Sequence, residues 1–295
     1  MNWKAIARSE IGTSHIKQQL SCQDYSDYKI LNDAIIGVVA DGAGSAKHSD
    51  IGAKLAVDTV LTKITEEDIQ KIIELCNSPG IDEAEKSKSF VLKPLSLFSR
   101  SKKNSDAAVA VIESDSKPEV KQFFSNIVKQ VTIALEKQAE TNGYEINDLA
   151  CTLLIAIATP QGIAAMQIGD GFIAVRYPQK DPELLFSPDK GEYVNETTFV
   201  TSTNALEDME VVIKSGQPKF ICASTDGLER LAIRLSDCTP FTPFFQPLEQ
   251  YLRETENLDS DRYIEDFLNS DRLNARTEDD KTSFLCFYAQ SDPPE

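Results

Sequence analysis

Three continuous apolar runs in this chain each end at an Asp-Gly pair, and this repeated pattern limits the possible folds more than any other feature. The runs IIGVVA, AAMQIG and FICAST lead into Asp41-Gly42, Asp170-Gly171 and Asp226-Gly227. A fourth acidic pair, Asp279-Asp280, lies just before the apolar run SFLCFY. Short apolar runs bounded by turn residues are typical of strands that are buried on both faces. The chain therefore predicts a sheet core with acidic side chains at the ends of its strands.

Further strand-like segments occur in both halves of the chain. They are WKAIARS, DYSDYKIL, CTLLIAIAT, FIAVRY, TTFVTS and EVVIK. The turn Pro160-Gln161-Gly162, between two of the apolar runs, predicts a hairpin. Because the strands come in groups and hairpins rather than alternating one by one with helices, the sequence favours an α+β fold with antiparallel sheets under helical layers.

Helical spacing of apolar residues predicts a helix over 51–64 with Asp50 as its N-cap, and a long amphipathic helix from Val120 to about Asn142. Thr65 and Asp68 resemble the capping box of a further helix. The stretch from about 77 to 118 is rich in Ser, Lys, Asp and Glu and is interrupted by prolines. We expect a single domain over 1–295 with a mobile insertion at about 77–118.

The charge balance argues against several classes of partner. The chain has 30 Lys and Arg against 47 Asp and Glu, which gives a formal net charge of −17. Phosphate backbones and anionic membrane surfaces would repel such a chain, so we expect neither nucleic acid nor a membrane as partner. No apolar run has the length of a signal peptide or a membrane span, and no CxxC pair occurs among the six cysteines, so a cytoplasmic location is expected.

A gathering of the strand-end aspartates would have a chemical consequence. Carboxylates brought together repel one another by several kcal/mol, so such a cluster implies raised pKa values or bound cations. His15 and His48 are the only two histidines, which leaves oxygen atoms as the available ligands. Oxygen ligands suit hard cations, so Mg²⁺ or Mn²⁺ is the expected metal. A single Asp-Gly pair, by contrast, is usually no more than a turn.

The segments CQDYS, VVADGAGS, IGDGFIAVR, ASTDGLERLA and EDDKTSFLCFY, in this order, resemble the metal-dependent protein Ser/Thr phosphatase family of type 2C. The resemblance extends from about Ser9 to Tyr288. It implies a four-layer α-β-β-α sandwich of two antiparallel sheets flanked by helices. It also implies two Mg²⁺ or Mn²⁺ ions, with a weaker site for a third, in a cleft at one end of the sandwich.

Site residues follow from the resemblance position by position. Asp41 would bridge the two metals, and the Gly42 carbonyl would complete the coordination of one of them. Asp226 and Asp279 would hold the other metal, and Asp170 with Asp226 would form a weaker third-metal site. Asp24 matches the acidic residue that orients metal-bound water near the phosphate.

Some positions depart from the pattern of the family. The glutamate that usually precedes Asp24 is Gln23, whose amide can support metal-bound water but brings no charge. The arginine that binds phosphate would fall at Gln19, so His15 and Lys17 are the nearest cationic candidates for the phosphate. His15 could also act as the general acid for the leaving group, or it could be an ordinary loop histidine. For Lys17 a solvated surface lysine is the simpler interpretation. Asp280 replaces a common asparagine and is expected to support the metal ligands rather than to bind metal.

These observations predict a phosphoprotein Ser/Thr phosphatase that hydrolyses phosphomonoesters through a metal-bridged water, with a Ser/Thr kinase as its opposing enzyme. Two alternatives stay open. Gln23 and the missing arginine are compatible with a pseudophosphatase that binds phosphoproteins as a regulatory module. A phosphoesterase acting on small molecules would use the same site.

Overall fold

Two five-stranded antiparallel sheets form the centre of the protein. The computed structural model describes residues 2–78, 118–187, 197–234, 236–258 and 260–289. In chain order the strands are β1 (Trp3–Glu10), β2 (Tyr25–Leu31), β3 (Ala34–Ala40), β4 (Leu153–Thr159), β5 (Gly162–Ile168), β6 (Phe172–Arg176), β7 (Glu183–Leu184), β8 (Glu210–Ser215), β9 (Phe220–Ser224), β10 (Ile233–Arg234), β11 (Thr239–Pro240) and β12 (Lys281–Tyr288). The sheets have the orders β1-β12-β9-β6-β7 and β2-β3-β4-β5-β8, and β10 pairs separately with β11.

The longer helices lie on the outer faces of the sheets, and the short α1 lies at one rim. The helices are α1 (Thr13–Gln18), α2 (Ser49–Lys63), α3 (Glu66–Asn77), α4 (Pro118–Asn142), α5 (Glu229–Ala232), α6 (Thr242–Glu254), α7 (Tyr263–Leu268) and α8 (Asp271–Asn274), with short 3-10 turns at Ile146–Leu149 and Asp226–Leu228. The predicted insertion at 77–118 falls, apart from its ends, outside the described residues. No helix within the described ranges is both long enough and apolar enough to cross a membrane.

Successive side chains along a strand pack against different layers of the fold. In β3, Ile36 and Val38 belong to the core shared with α2, α3 and α4, whereas Ile35 and Val39 face the other sheet. In β12, Phe284 lies between the sheets and its neighbour Leu285 packs with α6, α7 and α8. Both sheets are therefore covered on both faces, which explains the continuous apolar runs. The predicted α-β-β-α sandwich of the α+β class is confirmed.

Strands β3 and β12 pack closely against each other across the two sheets. A Cβ atom on Gly37 would overlap the ring of Phe284. Glycine at this position lets the aromatic ring fill the space between the sheets, where dense packing contributes most to stability.

Most local predictions agree with the structure, with two corrections. The hairpin has Thr159 opposite Gly162, and the Thr65–Asp68 capping box caps α3. Helix α2, however, begins at Ser49, so Asp50 lies in its first turn rather than at the N-cap. The segment at 197–202, predicted as a strand, forms turns, because its backbone groups bond locally, as in the hydrogen bond from the Ser202 N–H to the Phe199 carbonyl.

Candidate active site

The sheet topology gathers several strand ends at one end of the sandwich. In the antiparallel β2–β3 pair, Tyr25 lies opposite Ala40, so the start of β2 lies beside the end of β3. In the other sheet, Ser224 at the end of β9 lies opposite Ser283 near the start of β12. The acidic residues that precede or follow these four strands therefore share one rim.

A cleft of about 190 Å³ opens at this rim, and we call it the carboxylate cleft. Asp41, Asp170 and Asp226 each offer a carboxylate oxygen there, and these three oxygens lie within 4.8 Å of one another. The lining residues are His15, Gln23, Asp24, Asp41, Gly42, Gly44, Thr152, Asp170, Thr197, Phe199, Asp226, Asp279 and Asp280. Nine of the ten residues predicted for the site thus line the same cleft, and Lys17 is the exception.

Backbone hydrogen bonds hold Asp41 at the end of β3. The Asp41 N–H donates to the Thr152 hydroxyl at 3.0 Å, and the Thr152 N–H donates to the Asp41 carbonyl at 2.8 Å. The next residue, Gly42, forms an isolated bridge with Cys151 and packs so tightly against the Gln23 carbonyl that a side chain would not fit. The Asp-Gly pair is therefore a close-packed junction between two strands and a loop rather than a free turn.

Burial and mutual repulsion perturb the carboxylates of the cleft. Desolvation, and secondly the charge of Asp280, raises the pKa of Asp24 to about 8. Desolvation, followed by the charges of Asp170 and Asp279, raises the pKa of Asp226 to about 7. Desolvation, with Asp24 as the nearest like charge, raises the pKa of Asp41 well above its usual range. Neither Lys nor Arg is among the described residues that line the cleft.

These carboxylates fit divalent metal ions. Their oxygens are close enough to share a cation, their raised pKa values show that negative charge is under-compensated, and oxygen is the ligand type that Mg²⁺ and Mn²⁺ prefer. Cations in the cleft would offset the repulsion that otherwise favours protonation.

Asp280 is buried beside the cleft but is already satisfied by the protein. Its two carboxylate oxygens accept hydrogen bonds of 2.6 Å each from the N–H groups of Gly12 and Gln23. We call this arrangement the Asp280 anchor. It fastens the loop before α1 and the loop before β2 to the start of β12, so that His15, Gln23 and Asp24 are held around the same cleft.

The two predicted phosphate-binding residues occupy different environments. His15 lines the cleft, and its Nδ1 lies 2.9 Å from Asp280 Oδ1, although the ring N–H does not point at that oxygen, so the contact is electrostatic rather than a directed hydrogen bond. The Lys17 ammonium is exposed and contacts Glu278 Oε1 at 2.7 Å. Lys17 therefore lies outside the cleft, held at the surface by an acidic neighbour.

Several residues around the cleft had no clear signal in the sequence. The Thr225 hydroxyl donates to Asp24 Oδ2 at 2.8 Å, and the Thr197 hydroxyl donates to Asp170 Oδ2 at 2.7 Å. Lys281 is fully buried, and its ammonium lies within 3.5 Å of the Asp279 carbonyl and 3.1 Å from Asn274 Oδ1. The one available hint was a lysine directly before an apolar strand, where a charged side chain needs internal oxygen partners.

The comparisons with known proteins agree with this geometry. The family model described as protein phosphatase 2C matches residues 11–269. Serine/threonine-protein phosphatase 3 of Escherichia coli (strain K12) is 31% identical over 298 residues, covering 98% of this chain and all of that protein. Two solved structures share the fold. The serine/threonine phosphatase of S. agalactiae has a TM-score of 0.58 at 14% identity, with 98% of this chain and 100% of that chain covered. The serine/threonine phosphatase Stp1 of Staphylococcus aureus has a TM-score of 0.53 at 12% identity, with 97% and 95% covered.

Proposed function

The chain belongs to the protein phosphatase 2C family, and from this premise we propose that its carboxylate cleft hydrolyses phosphoserine and phosphothreonine monoesters of proteins. The observation that carries the proposal is the convergence of Asp41, Asp170 and Asp226, with oxygens within 4.8 Å of one another, in a cleft with no Lys or Arg among its described lining residues. A set of clustered carboxylates without a neighbouring Lys or Arg is suited to binding metal ions and, through them, an anionic phosphate.

Two divalent ions, Mg²⁺ or Mn²⁺, are part of this proposal. Asp41 would bridge them with help from the Gly42 carbonyl, Asp226 and Asp279 would hold one of them, and Asp170 would contribute to a weaker third site. When bound, such ions supply a water of lowered pKa and neutralise charge on the phosphoryl group. The support for this assignment is the all-oxygen character of the cleft and the raised pKa values of Asp41 and Asp226.

Asp24 is the residue to which we assign the orientation of the attacking water. Its carboxylate is buried and lies in the cleft, with one oxygen fixed by the Thr225 hydroxyl. A fixed carboxylate can accept a hydrogen bond from water and align it with the phosphorus atom.

His15 is our candidate for contact with the phosphate or for protonation of the leaving alkoxide. Its Nδ1 faces Asp280 Oδ1 at 2.9 Å without a directed hydrogen bond, so Nε2 is the nitrogen that we assign to the substrate. Lys17 is the weaker candidate, because its ammonium is engaged by Glu278. Gln23 and Asp280 take supporting roles: the Gln23 Oε1 is buried in the cleft lining without a hydrogen-bond partner among the described residues.

The biological setting follows from the same proposal. Phosphorylated proteins are the substrates, a Ser/Thr kinase supplies them, and the cytoplasm is the site of action. The six cysteines, all free, are compatible with a reducing compartment.

The direct test is turnover of p-nitrophenyl phosphate and of a phosphothreonine peptide, in Mn²⁺ and in excess chelator. We expect both substrates to be hydrolysed with Mn²⁺ and neither with chelator. Turnover that persists in chelator, or that is absent with both Mn²⁺ and Mg²⁺, would refute the proposal.

The two histidines provide a matched pair for the role of His15. Replacing His15 with Ala should lower kcat by about 10- to 100-fold and change its pH profile, because a general acid or phosphate donor is lost. His48 lies outside the cleft lining and stacks on Tyr144, so His48→Ala should leave kcat and the pH profile as in the wild type. Equal effects of the two substitutions would remove His15 from the mechanism.

A further inference from the structure

A second and larger pocket opens directly beside the carboxylate cleft. Its volume is about 690 Å³, and Asp226 and Asp279 line both cavities. The other lining residues that matter here are Glu229 and Arg230 of α5, and Arg276 and Glu278 of the loop between α8 and β12. We call this pocket the arginine groove. A ligand that extends out of the cleft past Asp226 or Asp279 enters it.

Two arginines give the groove its chemistry. Arg230 and Arg276 are exposed, and within the described ranges neither guanidinium forms a hydrogen bond or an ion pair. Several other arginines are engaged, as in the pairs of Arg176 with Glu249 and Arg8 with Glu265. An unengaged guanidinium retains all its donors for a planar anionic partner such as a carboxylate.

The groove lining also holds four acidic side chains, whose own partners decide how far they oppose these two charges. Glu278 is paired with Lys17 across the rim, and Asp226 and Asp279 belong to the set assigned to the metal ions. Glu229, beside Arg230, is the remaining carboxylate. With the proposed metal ions bound and Glu278 paired, the two arginines would outnumber the one remaining carboxylate, so an acidic ligand would meet attraction there despite the net charge of −17.

The position of the groove indicates what would fill it. A protein substrate whose phosphorylated side chain enters the carboxylate cleft must lay its neighbouring residues along the adjoining surface. A groove of about 690 Å³ has the size of a ligand pocket and has room for several side chains. Small phosphoesters would occupy the cleft alone and leave the groove empty.

We propose that the arginine groove binds Asp or Glu residues that flank the phosphorylated Ser or Thr, and that Arg230 and Arg276 make the enzyme selective for phosphoproteins with acidic flanking sequence. This inference rests on the proposed phosphatase activity and deepens it by naming a substrate class. The two guanidinium groups attract the flanking carboxylates as the phosphoryl group enters the cleft, which lowers KM more than it changes kcat.

Three phosphothreonine peptides test the proposal. They share one sequence except that the residues on both sides of phosphothreonine are Glu, Gln or Lys. At low ionic strength we expect kcat/KM for the Glu peptide to exceed that for the Gln peptide by about three- to tenfold, with the difference shrinking as salt is added. Equal values for the Glu and Gln peptides would overturn the proposal.

Charge reversal supplies the second arm. The double variant R230E/R276E should lose the preference for the Glu peptide and favour the Lys peptide. The matched control is R234E/R272E, which makes the same change in net charge at two exposed arginines outside the groove lining and should keep the wild-type order of the peptides. If the control reverses the order as strongly as R230E/R276E, overall charge rather than the groove sets the preference and the proposal fails.

Binding separates this proposal from the activity on which it rests. Fluorescence anisotropy of three labelled peptides that carry a non-hydrolysable phosphonate in place of the phosphate, measured with saturating Mn²⁺, reports affinity without turnover. The order Glu, then Gln, then Lys should appear there as well, and its absence would overturn the groove assignment even for an active phosphatase. Failure to hydrolyse p-nitrophenyl phosphate would instead count against the proposed function.

Discussion

Asp280 and the aspartates of the carboxylate cleft lie side by side at the same end of the sandwich, and their surroundings differ. Asp280 has both oxygens bonded to backbone N–H groups, from Gly12 and Gln23. Asp41 and Asp226 instead have other carboxylates as their main charged neighbours, which raises their pKa values. A buried carboxylate whose oxygens accept hydrogen bonds from backbone N–H groups stabilises the fold. A carboxylate that faces other carboxylates needs a cation from solution to offset the repulsion.

Neighbouring acidic residues at this rim therefore have different roles, one structural and the other functional. The Asp280 anchor joins loops that lie 268 and 257 residues away from Asp280 in the sequence. We therefore expect its loss mainly to lower the free energy of unfolding. Repulsion among the carboxylates of the cleft destabilises the fold when no cation is present. Substitutions in the cleft should therefore mainly change metal affinity and turnover. The predictions below test this contrast, starting with the largest expected effect.

Replacing Asp226 with Asn should lower kcat/KM on p-nitrophenyl phosphate by about 1,000-fold or more, equivalent to about 4 kcal/mol of transition-state stabilisation, because a metal-holding carboxylate is lost. In chelator the same variant should unfold at a higher temperature than the wild type, because one repelling charge has gone. Asp33→Asn is the control, since Asp33 lies in the exposed turn between β2 and β3 and outside the cleft lining. A variant that is both inactive and less stable in chelator would contradict the contrast.

Replacing Asp280 with Ala should destabilise the protein by about 2–4 kcal/mol, because two backbone N–H groups lose their acceptor in a buried position. Chemical denaturation in chelator measures this without interference from metal. Asp280→Asn retains one acceptor oxygen and should fall between the wild type and the alanine variant. If Asp280→Ala is as stable as the wild type, the anchor does not hold the loops.

Bound metal should flatten or invert the slope of the unfolding free energy against pH. In chelator, Asp226, with a pKa near 7, and Asp24, with a pKa near 8, hold protons in the folded state that the unfolded chain releases near pH 4. Their contribution to stability is complete below about pH 4 and is lost as pH rises to about 8, with a slope of up to about 1.4 kcal/mol per pH unit for each group. Saturating Mn²⁺ should flatten or invert this slope, since the cation favours the ionised form. Thermal unfolding across pH 4–8 measures it, and identical slopes with and without Mn²⁺ would be inconsistent with metal binding by these groups.

Gln23→Glu should have the smallest effect. It adds a carboxylate where a buried amide oxygen has no partner among the described residues, so Mn²⁺ affinity measured by calorimetry should rise by about three- to tenfold. Glu at the surface position Gln18, which lies outside the cleft lining, serves as the charge-matched control. Weaker binding in Gln23→Glu would indicate that the amide itself is required.

The sequence was sufficient for the parts of the site that depend on local pattern. Asp41, Asp170 and Asp226 could be found because each follows an apolar strand, and antiparallel pairing then places strand ends together. The Asp280 anchor and the partners of Lys281 could not be found in this way. Their contacts join residues hundreds of positions apart, and no local period or spacing encodes which backbone N–H a buried carboxylate will meet. Closeness in sequence is also a weak guide to the cleft, because the Lys17 ammonium is exposed beside Glu278, which agrees with the simpler interpretation of a solvated surface lysine.

Calorimetric titration of the metal-free protein with Mn²⁺ near pH 7, repeated in buffers of different ionisation enthalpy, tests the central claim most directly. We predict saturable binding that releases protons, on the order of one per protein, as the carboxyls with raised pKa values ionise around the cation. Proton release should be lost or greatly reduced in Asp226→Asn and retained in Asp33→Asn. No binding, or binding that leaves Asp226→Asn indistinguishable from the wild type, would contradict the account.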